Sequence, residues 1–181
     1  MGMAADFSPR SGASDSLSAL PLSGESVTPA KGVRVAWPHV VLSVLGLAAS
    51  AYATYAHFLI KAGQDTGCGI TDTISCDKVI GSQYGVVFGI PLGIFGALFW
   101  AIVLITAISS HNVSPRSAAL QRLVVGTVGL TTSIVLAYIS LGVLHKLCLV
   151  CATTHILSGI NFLVALAGFW KLRALTAIAP R

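Results

Sequence analysis

A chain of 181 residues with 55% hydrophobic and only 9% charged side chains has too few charges to cover a water-facing surface, since soluble domains carry about 25%. Its mean hydropathy of +0.84 fits a lipid-solvated protein. The net charge of +5 could suggest nucleic acid, but the eleven Lys and Arg sit between apolar segments without interleaved aromatics, so they read as membrane-topology charges.

Residues 1–36 are polar, rich in Ser, Ala, Pro and Gly, and lack periodicity. They are expected to be a disordered cytoplasmic tail. They contain no apolar h-region, and the run that follows is too long for a signal peptide. Four apolar runs come next, at 39–60, 86–108, 123–144 and 147–170. Each reaches the roughly 20 residues that cross a hydrocarbon core. None contains an acidic residue or an internal Lys or Arg. Backbone groups in lipid must be satisfied within the segment, so all four are predicted to be helices. The expected fold is an all-α membrane protein, a four-transmembrane-helix bundle over 37–172, with a short cytoplasmic tail at 173–181. Gly89, Gly93 and Gly96 fall at helical spacing and suit close helix packing. Pro91 is expected in the first turns of the second helix, where its missing N–H costs least. Trp37, Trp100 and Trp170 are read as interface anchors or packing residues.

The connections differ in length. Residues 61–85 form a long loop, with a short half-buried helix expected after Cys76, capped by Ser75 and carrying Val79, Ile80 and Tyr84 at helical spacing. Residues 109–122 are expected to be a polar loop. His145 and Lys146 join the third and fourth helices into an antiparallel hairpin. One side of the membrane then holds Arg10, Lys31, Arg34, Arg116, Arg122, Lys171, Arg173 and Arg181. The other holds Lys61, Lys78 and Lys146, offset by Asp65, Asp72 and Asp77. The excess of basic residues places both termini in the cytoplasm. The cysteines then lie on the extracytoplasmic face, where disulfide chemistry operates.

The four cysteines form two close pairs, Cys68/Cys76 in the loop and Cys148/Cys151 at the start of the fourth helix. The C-x-x-C spacing lets Cys148 and Cys151 close a disulfide within one helical turn. The helix N-terminus and Lys146 both favour a thiolate there. Gly67 and Gly69 flank Cys68, so it is expected to face solvent and move, with Cys76 facing the membrane side. Two structural disulfides in a non-catalytic tetraspan protein are a competing reading. A four-cysteine zinc site is another, although C-x7-C is an unusual zinc spacing. An unrelated four-helix disulfide oxidase normally carries its C-x-x-C first, and here it comes last. A relay accounts for more: one exposed pair, and one pair at the depth of a membrane quinone.

Over residues 37–172 the chain resembles the vitamin K epoxide reductase family in its bacterial form. The resemblance rests on Cys68 and Cys76, on Ser82, on Phe88-Gly89-Ile90-Pro91-Leu92-Gly93, and on Cys148-x-x-Cys151 followed by Thr153 and Thr154. It implies a four-helix bundle around a quinone pocket, binding menaquinone or ubiquinone. It implies that Cys68 exchanges with a substrate's thiols, Cys76 passes electrons to Cys148, and Cys151 meets the quinone. Ser82 resembles a Ser/Thr that supports the active centre by hydrogen bonding; a serine in a turn is its plainer reading. Vertebrate members carry a tyrosine where this chain has His155, and an asparagine in the region of Leu92. Epoxide reduction is therefore the alternative activity. His155, one turn after Cys151, reads equally as a hydrogen-bond donor to a quinone carbonyl and as a packed polar residue. Some bacterial members carry a fused thioredoxin-like domain; this chain ends soon after the fourth helix, so a separate thioredoxin-like (DsbA-type) partner is expected. The implied activity, in the bacterial cytoplasmic membrane, is oxidation of that partner with reduction of the quinone.

Overall fold

The computed structural model describes residues 36–109 and 113–178; apart from Ala36, the tail expected over 1–36 lies outside the described residues. The described chain is mostly helical. α1 (Trp37–Lys61) has a proline in its first turn, where no helical hydrogen bond is lost, and Lys61 in its last turn, complementing the helix dipole. α2 (Cys76–Ile80) is capped by Ser75, whose Oγ accepts the Lys78 N–H at 3.4 Å. A 3₁₀ turn at Gln83–Gly85 follows, then a small antiparallel hairpin of β1 (Val86–Val87) and β2 (Ile90–Pro91). The remaining helices are α3 (Leu92–Ile108), α4 (Pro115–Tyr138) and α5 (Leu149–Ile178), with a π-helical turn at Ile139–Val143 extending α4.

Three boundaries differ from those the apolar runs predict. The second run starts at 86, but its helix starts at Leu92. Val87 pairs with Ile90, and the two residues between them, Phe88 and Gly89, have φ of 53° and 80°. Positive φ at both central positions is what a type I′ hairpin turn requires, so Gly89 serves a turn and not a helix contact. Pro91 stands at the N-cap position and not inside the first turn. The third run starts at 123, but its helix starts at Pro115, with Ser114 Oγ accepting the Ser117 N–H at 3.2 Å. Arg116 and Arg122, expected in a loop, therefore lie on α4. At the other end, α5 continues past Trp170 to Ile178.

α1 packs chiefly on α3, and α4 on α5; further contacts join α1 to α5 and α3 to α4. Small residues allow the closest approach. A Cβ on Gly93 would fall 2.8 Å from the Thr54 nitrogen and 2.9 Å from the Ser50 oxygen, so α3 lies directly against the α1 backbone. The apolar core joins Leu42, Trp100, Val103 and Leu157. Trp100 is 1% exposed and belongs to the core, whereas Trp37 and Trp170 are exposed.

Trp37–Lys61, Pro115–Val143 and Leu149–Ala177 are long and apolar enough to cross a membrane; α3, with 17 residues, is apolar but shorter. Protein buries only 33%, 17% and 22% of the apolar windows in the three long segments. The apolar side chains that face outward need lipid as their solvent. The chain is thus a multi-pass membrane protein.

Gly93→Leu should destabilise the bundle by about 1–3 kcal/mol, because its neighbour is backbone that cannot swing aside. Gly159→Ala should be neutral or slightly stabilising, since a Cβ there meets nothing within 4 Å. Melting midpoints of the two variants in detergent check both outcomes.

Candidate functional site

The long loop is fastened to the α4–α5 connection by backbone. The Ser75 N–H donates to the Leu147 oxygen at 3.0 Å, and the Leu147 N–H donates to the Thr73 oxygen at 2.8 Å. This is a parallel bridge, with Ile74 facing Leu147. The cysteines follow directly on the residues that share the Ser75 N–H to Leu147 oxygen bond: Cys76 follows Ser75, and Cys148 follows Leu147. Both cysteines enter one buried cluster with Ala56 and Ile80, at 0% and 1% exposure, and Cys68 and Cys151 pack against it. The structure thus gathers all four cysteines at one end of the bundle.

Cys68 and Cys76 form a disulfide with Cα atoms 5.5 Å apart, while Cys148 and Cys151 are free. Cys68 is half-buried and not fully solvent-facing. Its segment is held by Thr66, whose hydroxyl donates to Asp77 Oδ1 at 2.5 Å and accepts the Cys68 N–H at 3.4 Å. The Thr66 hydroxyl is the main reason the Asp77 carboxyl stays below the usual carboxylate range. An exposed ion pair, Lys78 to Asp72 at 3.2 Å, adds little to this hold.

Cys148 directly precedes α5, and its sulfur accepts the Cys151 N–H at 3.3 Å, the role an N-cap oxygen usually plays. A hydrogen bond from the Cys151 side chain is the largest influence on Cys148 and lowers its pKa below the ordinary thiol value. Burial and the Asp77 carboxylate oppose that shift; the amides of Cys151 and Val150 support it. Lys146 has another task than the one expected of it. Its Nζ donates to the Asp72 oxygen at 2.6 Å, adding a third tie between loop and hairpin. Ser140 supplies a further brace, its Oγ donating to the Lys146 oxygen at 2.6 Å.

Cys151 lines a cavity of about 330 Å³ enclosed by α1, α3, α4 and α5; neither Cys148 nor the loop pair lines it. The helix-end pair is therefore split between two environments: Cys148 belongs to the buried sulfur cluster and Cys151 to the cavity. The volume falls in the range of small-molecule sites. The lining is mainly apolar, with His155, Thr154, Ser133 and Ser158 among its polar members. An apolar ring with carbonyl oxygens on its edge suits that combination. Leu92 lines the cavity as well.

Ser82 also lines it, but its hydroxyl donates to the Val79 oxygen at 2.7 Å and accepts the Tyr84 N–H at 3.2 Å. Those bonds close the turn after α2. His155 lines the cavity half-buried, as the spacing from Cys151 suggests. The sequence reading passes over His57, which is buried, lines the same cavity and places Nδ1 3.3 Å from the Ile80 oxygen. Its signal was a polar ring inside an otherwise apolar span, which is costly unless it is paired or functional.

The model of the family described as "Vitamin K epoxide reductase family" matches residues 37–166. Vitamin K epoxide reductase complex subunit 1 of Rattus norvegicus is 30% identical over 147 residues, covering 73% of this chain and 87% of that protein. The same subunit of Mus musculus is 30% identical over 149 residues, with the same coverage of both chains.

Ultraviolet thiolate absorbance tests the electrostatics of Cys148, because the disulfide pair does not titrate. The first thiol to ionise should do so below the ordinary thiol value. Cys151→Ala removes the side-chain hydrogen bond, and the midpoint of the remaining thiol should rise. Lys146→Gln should leave the first midpoint in place.

Proposed function

Because the chain belongs to the vitamin K epoxide reductase family, a family of oxidoreductases, we propose that it is a membrane thiol–disulfide oxidoreductase that oxidises a thioredoxin-like protein and reduces a quinone. The observation that carries this reading is the division of sulfur atoms. Cys76 and Cys148 share one buried cluster, whereas Cys151 lines the apolar cavity.

The exchange runs as follows. A thiolate of the partner attacks Cys68, breaking the bond to Cys76 and forming a mixed disulfide. The partner's second thiol resolves it, so the partner leaves oxidised and Cys68 and Cys76 remain as thiols. Cys76 as thiolate then attacks Cys148 of an oxidised Cys148–Cys151 pair and releases Cys151. Cys68 attacks Cys76, restoring the loop disulfide and freeing Cys148. Two electrons and two protons have passed inward. A loop disulfide beside two free helix-end thiols is the state this step leaves. A quinone bound in the cavity would accept the two electrons and two protons released as Cys148 and Cys151 close their disulfide. Cys151 and His155 line that cavity and would meet it, His155 with a ring N–H, and the apolar walls would exclude water.

In this reading α3 is the fourth span, at the short end of the range of about 17–25 residues that crosses a bilayer. Both termini lie in the cytoplasm of a bacterium and the cysteines at the extracytoplasmic face, following the basic residues. The partner is a separate protein, and Ser82 supports the site by fixing the turn that closes the cavity.

Purified protein supplied with a reduced thioredoxin-like protein and a quinone should form quinol. Cys151→Ala should reduce that rate to the uncatalysed level while leaving the protein inserted; a normal rate in this variant would remove the assignment. Leu147→Pro deletes the N–H that Thr73 accepts. It should slow electron passage between the pairs while an added dithiol still reduces Cys68–Cys76 at its usual rate, as quenched thiol-alkylation time courses would record.

A further inference from the structure

The end of the bundle away from the cysteines contains a second cavity, of about 160 Å³, between the start of α4 and the end of α5. Ala118 and Ala119 on one helix and Ala165 and Gly168 on the other leave the gap. His39 and Arg122 are its polar lining. Nδ1 of His39 is already engaged, 2.7 Å from Asn161 Oδ1.

Two nitrogens of Arg122, itself half-buried, have no such partner. Its Nε and Nη2 are both buried, and neither has a hydrogen-bond partner among the described residues. The acidic residues of the described chain are Asp65, Asp72 and Asp77, all in the loop beside the cysteines, so none can reach it. A guanidinium stays charged at any accessible pH and cannot escape the cost of burial by losing its proton. The two unpaired nitrogens form one edge of the guanidinium fork, the edge that binds two oxygens of an oxyanion side by side. Arg122 lies about 10 Å along α4 from Pro115 at 1.5 Å per residue, directly before the apolar run that starts at Leu123.

We propose that Arg122 and this cavity bind a phosphate group, and that its source is the headgroup of a membrane phospholipid. The site is independent of the redox chemistry at the other end of the bundle. The phosphate completes the hydrogen bonding of Arg122, and the acyl chains continue along the exposed faces of α4 and α5. Binding couples lipid to the packing of the α4–α5 pair, so lipid should raise the stability of the folded chain by mass action.

The test is thermal unfolding of the full-length protein in neutral detergent. Phosphatidylglycerol added to the micelles should raise the melting midpoint by several degrees and saturate. Diacylglycerol, with the same chains and no phosphate, should not. Arg122→Gln should abolish the shift. Gly168→Leu should abolish it as well: Gly168 lines the cavity, and no atom lies within 4 Å of a Cβ built there, so there is room for a side chain that competes for the cavity. This second variant decides the matter if Arg122→Gln does not fold. An equal, Arg122-dependent shift with sodium phosphate, at ionic strength matched by sodium chloride, would keep the site and overturn the lipid source. The site itself is overturned if neither phosphate source shifts the midpoint, if diacylglycerol works as well as phosphatidylglycerol, or if the Gly168→Leu variant responds like the parent.

Discussion

Two backbone hydrogen bonds between residues 73–75 and Leu147 hold the rest of the active end in place. The loop is long, and ordering it costs entropy at each residue. The bridge fixes where that loop stops, and the register of the bridge then decides which side chains meet. With Ser75 bonded to Leu147, the following residues, Cys76 and Cys148, enter the same buried cluster. A shift of one residue would turn the alternate side chain inward, as in any extended pairing. Lys146 and Ser140 reinforce the arrangement through carbonyl oxygens, so the hairpin turn and the loop form one braced unit.

The α5 N-terminus gives the two helix-end thiols different characters. Cys148 sits before the helix, where amides are free to donate to its sulfur, and it faces the loop pair. Cys151 sits three residues on, within the first turn, and lines the apolar cavity. A helix terminus lowers the cost of negative charge over about one turn only. The C-x-x-C spacing spans that distance, so one sulfur is stabilised as a thiolate while its neighbour borders a medium that disfavours charge.

The parts of this arrangement legible in the sequence were those written as composition and spacing. Long apolar runs implied membrane helices, the positions of the cysteine pairs implied that all four lie at one end, and the interval from Cys151 to His155 placed both on one helix face. Boundaries governed by turn chemistry were less accessible to a reading based on apolar content. The type I′ turn at Phe88–Gly89 interrupts an unbroken apolar run, because hydrophobicity does not report the sign of φ. Ser114-Pro115 is an N-cap followed by an N1 proline, a helix-start signal that outranks the apolar run beginning eight residues later. The bridge between residue 74 and Leu147 was not legible at all, since it joins segments with no shared local pattern. The role of Lys146 was misread for the same reason: its partner is a carbonyl that only the fold brings near.

Charge is distributed over the two ends of the bundle by one rule. At the cysteine end every described carboxylate lies in the loop, where Thr66, Lys78 or water can satisfy it. In the apolar middle of the helices, neutral polar side chains are paired: Thr54 and Thr127 return their hydroxyls to carbonyls one turn back, and His39 meets Asn161 across two helices. Such pairing is required where lipid offers no hydrogen bonds. Arg122 is the departure from this pattern, a half-buried cation with two buried nitrogens that no described residue satisfies. Satisfying those nitrogens takes a group from outside the described residues.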